Sequence, residues 1–121
     1  MKRIIISYFL FCLIACSNEN LKKTYYANGQ IKDEITLDKN GAENGTIKSY
    51  YKTGDLLSEG ILKDGKKQGL FKNYYENQNL RSIEEYKNDS LDGTVKEYYE
   101  DGKIKMDGHI SNGKQYGIVK S

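Results

Sequence analysis

Four tyrosine pairs dominate the chemistry open to this chain: Tyr25-Tyr26, Tyr50-Tyr51, Tyr74-Tyr75 and Tyr98-Tyr99, at intervals of 25, 24 and 24 residues. A phenol donates and accepts hydrogen bonds, and its ring face attracts cations. Such pairs suit contact with a partner or with a neighbouring repeat. Reactive groups, by contrast, are scattered. His109 is the only histidine, with no cysteine or second histidine beside it, so it reads as a surface strand residue and not a metal ligand. Glu84 and Glu85 are consecutive, which on a strand sends them to opposite faces and excludes joint acid–base work. Asp38-Lys39-Asn40-Gly41 begins like a calcium loop but lacks the alternating acidic ligands and the closing glutamate, and reads as a turn. No nucleophile–histidine–acid set, phosphate-binding loop or cofactor fingerprint occurs. The expectation is a protein that is not an enzyme and uses no metal or cofactor.

Cys16 is the residue with an assigned chemistry. Lys2-Arg3 make a cationic start, Ile4 to Ile14 an almost wholly apolar run of 11, and Leu13-Ile14-Ala15-Cys16 ends it. A bilayer core needs about 20 helical residues, so residues 1–15 read as a secretion signal. The tetrapeptide resembles the bacterial lipobox, which implies cleavage before Cys16 and its acylation. Two or three acyl chains, at about 0.8 kcal/mol per buried methylene, hold a protein on a membrane where one does not. Residues 16–23 then form the lipidated cysteine and a polar tether ending in Ser17 to Lys23, which extends to at most about 24 Å. Ser17 and Asn18 lack the aspartate that commonly retains lipoproteins at an inner membrane. The expected location is therefore the bacterial cell envelope: the outer membrane where there are two membranes, otherwise the outer face of the cell membrane.

Cleavage also settles charge and redox state. Without Lys2 and Arg3 the 19 Lys+Arg become 17, against 17 Asp+Glu. A net charge of zero provides no basic field for nucleic acid. Cys12 leaves with the signal and Cys16 carries lipid, so the mature chain forms no internal disulfide.

The elements that position the tyrosines follow from a second landmark. Gly45, Gly69, Gly93 and Gly117 recur every 24 residues and open "GTIKSYY", "GLFKNYY", "GTVKEYY" and "GIVKS". Apolar Ile31, Leu56, Leu80 or Ile104 follows each pair, and Leu37, Leu62, Tyr86 or Ile110 stands six residues on. Turn residues Gly41, Gly65, Asp89 and Gly113 lead to the next unit, and the one extra residue of the first unit is expected at its Asp38–Gly41 turn. β-Branched and aromatic stretches bounded by Asn, Asp and Gly predict β-hairpins. The domain expected over residues 24–121 is all-β: an elongated antiparallel β-meander of stacked hairpins in a single twisted sheet. Its units lie near 24–44, 45–68, 69–92 and 93–116, with a partial unit at 117–121.

Asn28-Gly29 and Asp101-Gly102 read as two-residue type I′ turns; Thr53-Gly54 is weaker, and Asn77-Gln78 has no glycine. Counting outward from two-residue loops sets Tyr26, Tyr51, Tyr75 and Tyr99 opposite Ile31, Leu56, Leu80 and Ile104. Alternation adds Ile47, Phe71 and Val95 to that apolar face. The first tyrosines then fall on the other face: Tyr25 opposite Lys32, Tyr74 opposite Arg81, Tyr98 opposite Lys105. On that face Lys23 meets Glu34, Lys48 meets Glu59 and Lys96 meets Asp107, while Leu57 opposite Tyr50 and Ile83 opposite Lys72 break the pattern. A three-residue loop would dissolve this pairing.

The unit G-x-Φ-K-x-Y-Y-x-x-G-x-Φ, with Φ apolar, resembles the MORN repeat variant of bacterial YwqK-family antitoxins, from about Thr24 onward. The resemblance implies a meander of stacked hairpins with antitoxin or interaction roles. Gln78 replaces the motif's glycine, and a lipoprotein signal separates the repeats from a cytoplasmic toxin, leaving an immunity-type role outside the cytoplasm.

A sheet with one apolar and one charged face must have its apolar side curled on itself or covered. The functional expectation is a lipid-anchored repeat module that binds a protein partner, with Tyr25, Tyr50, Tyr74 and Tyr98 as candidate contacts and Tyr26, Tyr51, Tyr75, Tyr99, Ile47, Phe71 and Val95 as architecture. The alternative is an envelope structural or membrane-surface-associated lipoprotein. Self-association through edge strands stays open. Gly117 to Ser121 should form the last strand, so deleting these residues lowers the thermal midpoint; an unchanged melting curve would sink that assignment.

Overall fold

The computed structural model describes residues 20–119. The expectations for the signal, Cys16, most of the tether and residues 120–121 lie outside the described residues. The described chain is a single open antiparallel sheet of ten strands: β1 (Leu21–Tyr25), β2 (Ile31–Leu37), β3 (Glu43–Tyr50), β4 (Leu56–Lys63), β5 (Lys66–Lys67), β6 (Gly69–Tyr74), β7 (Leu80–Lys87), β8 (Ser90–Tyr98), β9 (Ile104–Ser111) and β10 (Lys114–Val119). The strands follow chain order, with the short β5 branching off as a partner of β4. This is the expected all-β meander.

The turns within the units are not the two-residue turns expected of them. Within each unit the loop holds three residues: Gly29 N–H donates to the Tyr26 carbonyl (3.0 Å) and Tyr26 N–H to the Gln30 carbonyl (2.9 Å). Only the last loop residue needs positive φ, Gly29 at 89° and Gly102 at 91°. The Asn and Asp that suggested type I′ turns act differently here. Asn28, Asn77 and Asp101 accept through Oδ1 the backbone N–H two residues on, each at 3.0 Å, the side chain mimicking a turn. The two-residue turns with two positive φ values join the units instead: Asp64-Gly65 (50°, 76°), Asn88-Asp89 (48°, 70°) and Asn112-Gly113 (50°, 75°). The first joint is one residue longer, a three-residue loop closed by Gly41 N–H to Asp38 carbonyl at 3.0 Å and capped by the Asp38 carboxylate on the N–H groups of Asn40 and Ala42. Those bonds, led by the one from the Asn44 side chain, hold the Asp38 carboxyl below its ordinary pKa. The extra residue of the first unit lies where it was expected.

The longer loop overturns the tyrosine pairing next to it. Tyr25, Tyr50, Tyr74 and Tyr98, not their successors, stand opposite Ile31, Leu56, Leu80 and Ile104. A β-bulge then takes up one residue on the returning strand, Lys32, Leu57, Arg81 or Lys105, so these do not face the first tyrosines as expected. Beyond the bulge the expected register returns: Lys23 faces Glu34, Lys48 faces Glu59, Lys72 faces Ile83 and Lys96 faces Asp107. One added loop residue and one bulged residue cancel, so the faces beyond the bulge are as expected, but Ile31, Leu56, Leu80 and Ile104, expected on the apolar face with the second tyrosines, share the face of the first tyrosines instead.

The core is thin. Ile35, Leu62, Phe71 and Val95 are buried, and no described side chain is fully enclosed. Ile35, Leu62 and Phe71 form one cluster, with Leu37, Ile47 and Tyr86 half-buried against it. Phe71 meets Tyr86 edge-on, centroids 5.4 Å apart at 77°. Gly60 makes room for it, because a Cβ there would stand 2.5 Å from the Phe71 ring.

With so little core, the units are tied side to side. The hydroxyls of three of the four second tyrosines reach the carbonyl of the first tyrosine in the next unit: Tyr26 to Tyr50 (2.6 Å), Tyr51 to Tyr74 (2.7 Å) and Tyr75 to Tyr98 (2.7 Å). At this edge of the sheet Asn28 Nδ2 also donates to the Lys52 carbonyl and Asn79 Nδ2 to the Glu100 carbonyl. At the other edge Asp64 N–H donates to Asn44 Oδ1 (2.7 Å), and Lys67 N–H to Asp89 Oδ1 (2.6 Å).

Tyr51→Phe removes one such tie and should lower stability by about 1 kcal/mol in a urea melt, whereas Tyr99→Phe, whose hydroxyl has no acceptor among the described residues, should leave the midpoint unchanged. Gln78 holds φ at 72° in a position its sister loops give to glycine. Gln78→Gly relieves about 1–2 kcal/mol of left-handed strain against about 0.4–1 kcal/mol of added freedom in the unfolded chain. Its melting midpoint should therefore rise, and a fall would show that the bond of Gln78 Nε2 to Asp55 (3.0 Å) is the larger effect.

Candidate functional site

Strand alternation gives the sheet two chemically distinct faces. On one, which we call the packed face, Ile35, Ile47, Gly60, Phe71, Glu84 and Val95 run in a row across the strands. Of the seven residues named for this apolar face, Phe71 and Val95 are buried and Ile47 is half-buried. The second tyrosines share it: Tyr75 lines a hollow with Ser82, Glu84 and Glu97. Tyr26, Tyr51 and Tyr75 are half-buried, whereas Tyr99, expected with them, is 45% exposed. Bulging turns Lys32 and Lys105 toward the second tyrosines, so Lys32 Nζ sits 5.9 Å from the Tyr26 ring and Lys105 Nζ 6.0 Å from that of Tyr99. These cation–π contacts were expected on the first tyrosines.

Sequence reasoning missed a polar row on the same face. Asp33, Ser49, Ser58, Asn73, Ser82, Glu97 and Met106 are cross-strand neighbours. Ser49 Oγ donates to Asp33 (2.7 Å) and Asn73 Nδ2 to Ser82 (2.9 Å). The signal was the polar residue directly before each tyrosine pair, Thr24, Ser49, Asn73 and Glu97. Nearby, Lys67 Nζ lies 5.0 Å from the Phe71 ring and 4.6 Å from that of Tyr86. The Tyr86 hydroxyl donates to Glu84 at 2.7 Å, and burial, then that bond and the Glu84 charge, push its pKa up to about 12. The phenol therefore stays protonated and the side chains of this face are engaged with one another.

The opposite face is open. Lys23, Glu34, Lys48, Glu59, Lys72, Ile83, Lys96 and Asp107 form one row, alternating in sign except at Ile83. The outer neighbours close into ion pairs, Lys23–Glu34 at 3.8 Å and Lys96–Asp107 at 3.9 Å. Exposed as they are, such pairs contribute about 0–1 kcal/mol each. Lys48, Glu59 and Lys72 at the centre join no ion pair among the described residues.

Two apolar rows flank the charges. On one side stand the first tyrosines and their partners: Tyr25, Ile31, Tyr50, Leu56, Tyr74, Leu80, Tyr98 and Ile104. Tyr74 has its pKa raised, by burial first and then by the charge of Glu59. On the other side, Ile61 is 47% and Leu70 50% exposed. They line an apolar groove of about 210 Å³ with Thr46, Lys48, Glu59 and Lys72. Tyr116 opposite His109 continues that row and is also exposed. Five of the seven exposed large hydrophobics among the described residues, Tyr25, Ile61, Leu70, Ile104 and Tyr116, thus lie on the open face. Among the described residues no group of three or more His, Cys, Asp or Glu side chains could hold a metal ion.

Comparison with known proteins agrees with the geometry. No curated protein and no solved structure matches the chain. The profile of the MORN repeat variant matches residues 18–39, 43–64, 67–88 and 91–112. Each block encloses one three-residue-loop hairpin with its tyrosine pair: β1–β2, β3–β4, β6–β7 and β8–β9. Together the four blocks span most of the sequence, and the chain belongs to the MORN repeat variant family.

Proposed function

We propose that this repeat module is a non-enzymatic lipoprotein of the bacterial cell envelope, anchored through Cys16, that binds a protein partner with its open face. The observation that carries the reading is the concentration of exposed apolar side chains there, with Ile61 and Leu70 on one side of the charged row and the tyrosine row on the other. Exposed apolar surface interleaved with charge of both signs favours a protein partner. Tyrosine is well suited to such contacts, offering a broad ring with a polar tip at little entropic cost. A bilayer is the poorer match, because anionic lipid attracts clustered cations and every lysine of the central row has an acidic or apolar neighbour. An immunity-type role against a toxin outside the cytoplasm is the form of partner binding that the antitoxin resemblance favours.

The test is in vivo crosslinking of the full chain in the envelope. A single protein partner should be recovered, and Tyr50→Ala with Tyr74→Ala together should reduce its yield severalfold while Cys16→Ala moves the chain out of the membrane fraction. Recovery of the chain with lipid alone, and flotation of Cys16→Ala with liposomes, would replace this reading with a membrane-surface or structural one.

A further inference from the structure

The open face is complementary to itself. Stacked sheets lie about 10 Å apart with their strands roughly aligned, and two identical faces can meet through a two-fold axis in only two aligned ways. An axis running across the strands lays each charge of the row on its own copy, lysine on lysine. An axis running along the strands reverses the row. If that axis lies on a strand, like signs still meet; if it lies in a gap between strands, opposite signs do.

The apolar groups select the gap. Ile61 on β4 and Leu70 on β6 flank one gap and line the groove beside it. With the axis there, Ile61 covers Leu70 of a second copy and Leu70 covers Ile61, while Glu59 meets Lys72 and Lys72 meets Glu59. In the third row Leu56 meets Tyr74 and Tyr74 meets Leu56. Further out Glu34 faces Lys96, and Lys48 faces Ile83, whose apolar surface its methylene stem can cover. Within the row, the charges that join no ion pair among the described residues, Lys48, Glu59 and Lys72, are those around this axis.

We infer that a second copy of this chain docks on the open face, about a two-fold axis parallel to the strands between β4 and β6. This rests on the reading of that face as a protein-binding surface and names its occupant. The interface would be isologous, each patch serving as its own partner. It involves neither β1 nor β10, the edges of the sheet.

The test uses the full chain in detergent, by sedimentation equilibrium and by co-purification of two differently tagged copies. The unaltered chain should form dimers that weaken as salt rises. Glu59→Lys places lysine over lysine at the axis and Lys72→Glu places glutamate over glutamate, so each alone should raise the dimer dissociation constant about tenfold or more. Mixing the two variants restores both opposite-charge contacts between copies while restoring nothing within either chain, so the mixture should associate about as tightly as the unaltered protein. A monomeric unaltered chain, single variants that dimerise normally, or a mixture no tighter than its components would each overturn the inference. Circular dichroism confirms that each variant is folded. Recovery of a different protein in the envelope crosslinking, with no dimer, would leave the partner reading standing and remove this one.

Discussion

Everything in this molecule depends on what a single-layer sheet can bury without a second layer. Among the described residues, four buried apolar side chains and none fully enclosed leave little hydrophobic stabilisation per unit. Ladder hydrogen bonds join neighbouring strands, but they do not fix one hairpin's inclination to the next. The tyrosine hydroxyl does this: it spans from one unit to a backbone carbonyl of the next, at 2.6–2.7 Å in all three cases. A phenol suits this because its rigid ring covers part of the packed face while its tip satisfies a carbonyl near the loop edge of the sheet. Nearest-neighbour ties of this kind are the usual source of stability in repeat proteins. They also explain why the second tyrosine of each pair recurs: it gives the hydroxyl, while the acceptor is a backbone carbonyl that any residue in the first position would supply.

Fold class, strand order, the hairpin assignment and the faces beyond the bulge were legible in the sequence, whereas Ile31, Leu56, Leu80 and Ile104, before it, lie on the face opposite to the one expected. Lys23–Glu34, Lys48–Glu59 and Lys96–Asp107 lie opposite each other as counted. That success conceals two departures that cancel. The Asn28-Gly29 dipeptide fits both a two-residue turn with two positive φ values and a three-residue loop with one, and only the backbone bonds Tyr26–Gln30 and Gly29–Tyr26 separate the two. A loop longer by one would have reversed every side chain had the bulge at Lys32 not restored the register. The bulge has no composition signal, since its residue is Lys, Leu, Arg or Lys in the four units. What the sequence did hold, in Gln78, was proof that the last loop position admits a residue other than glycine.

The candidate site was less legible. The split between an architectural and an exposed tyrosine survives in its faces but not in its reason. Tyr51 is structural through its bond to the Tyr74 carbonyl, and not by packing on Leu56, which lies opposite Tyr50. The apolar face proved to be the occupied one, with Lys67, Phe71, Tyr86 and Glu84 satisfying one another. Ile61 and Leu70 occupy the face that alternation marks as charged, and only the meeting of β4 with β6 brings them together. Contacts between residues of successive units are invisible to hairpin counting, because they depend on how the joint between units closes.

Repetition also sets what any surface laid on the charged face would have to match. Each hairpin contributes one lysine on its outgoing strand and, in three units of four, one acid on its return strand, so signs alternate across the sheet and the net field is small. Such a row resists any flat partner that meets it in the wrong phase, because a shift of one strand turns every attraction into a repulsion. It does not distinguish shifts of two strands, the length of one repeat. Discrimination at that scale requires a feature that the repeats do not share. Gly45 and Gly93 open units with threonine next, Thr46 and Thr94, where Gly69 is followed by Leu70. That single unit, by placing Leu70 beside Ile61, breaks the translational degeneracy of the charge pattern and makes one position on the face unlike the rest.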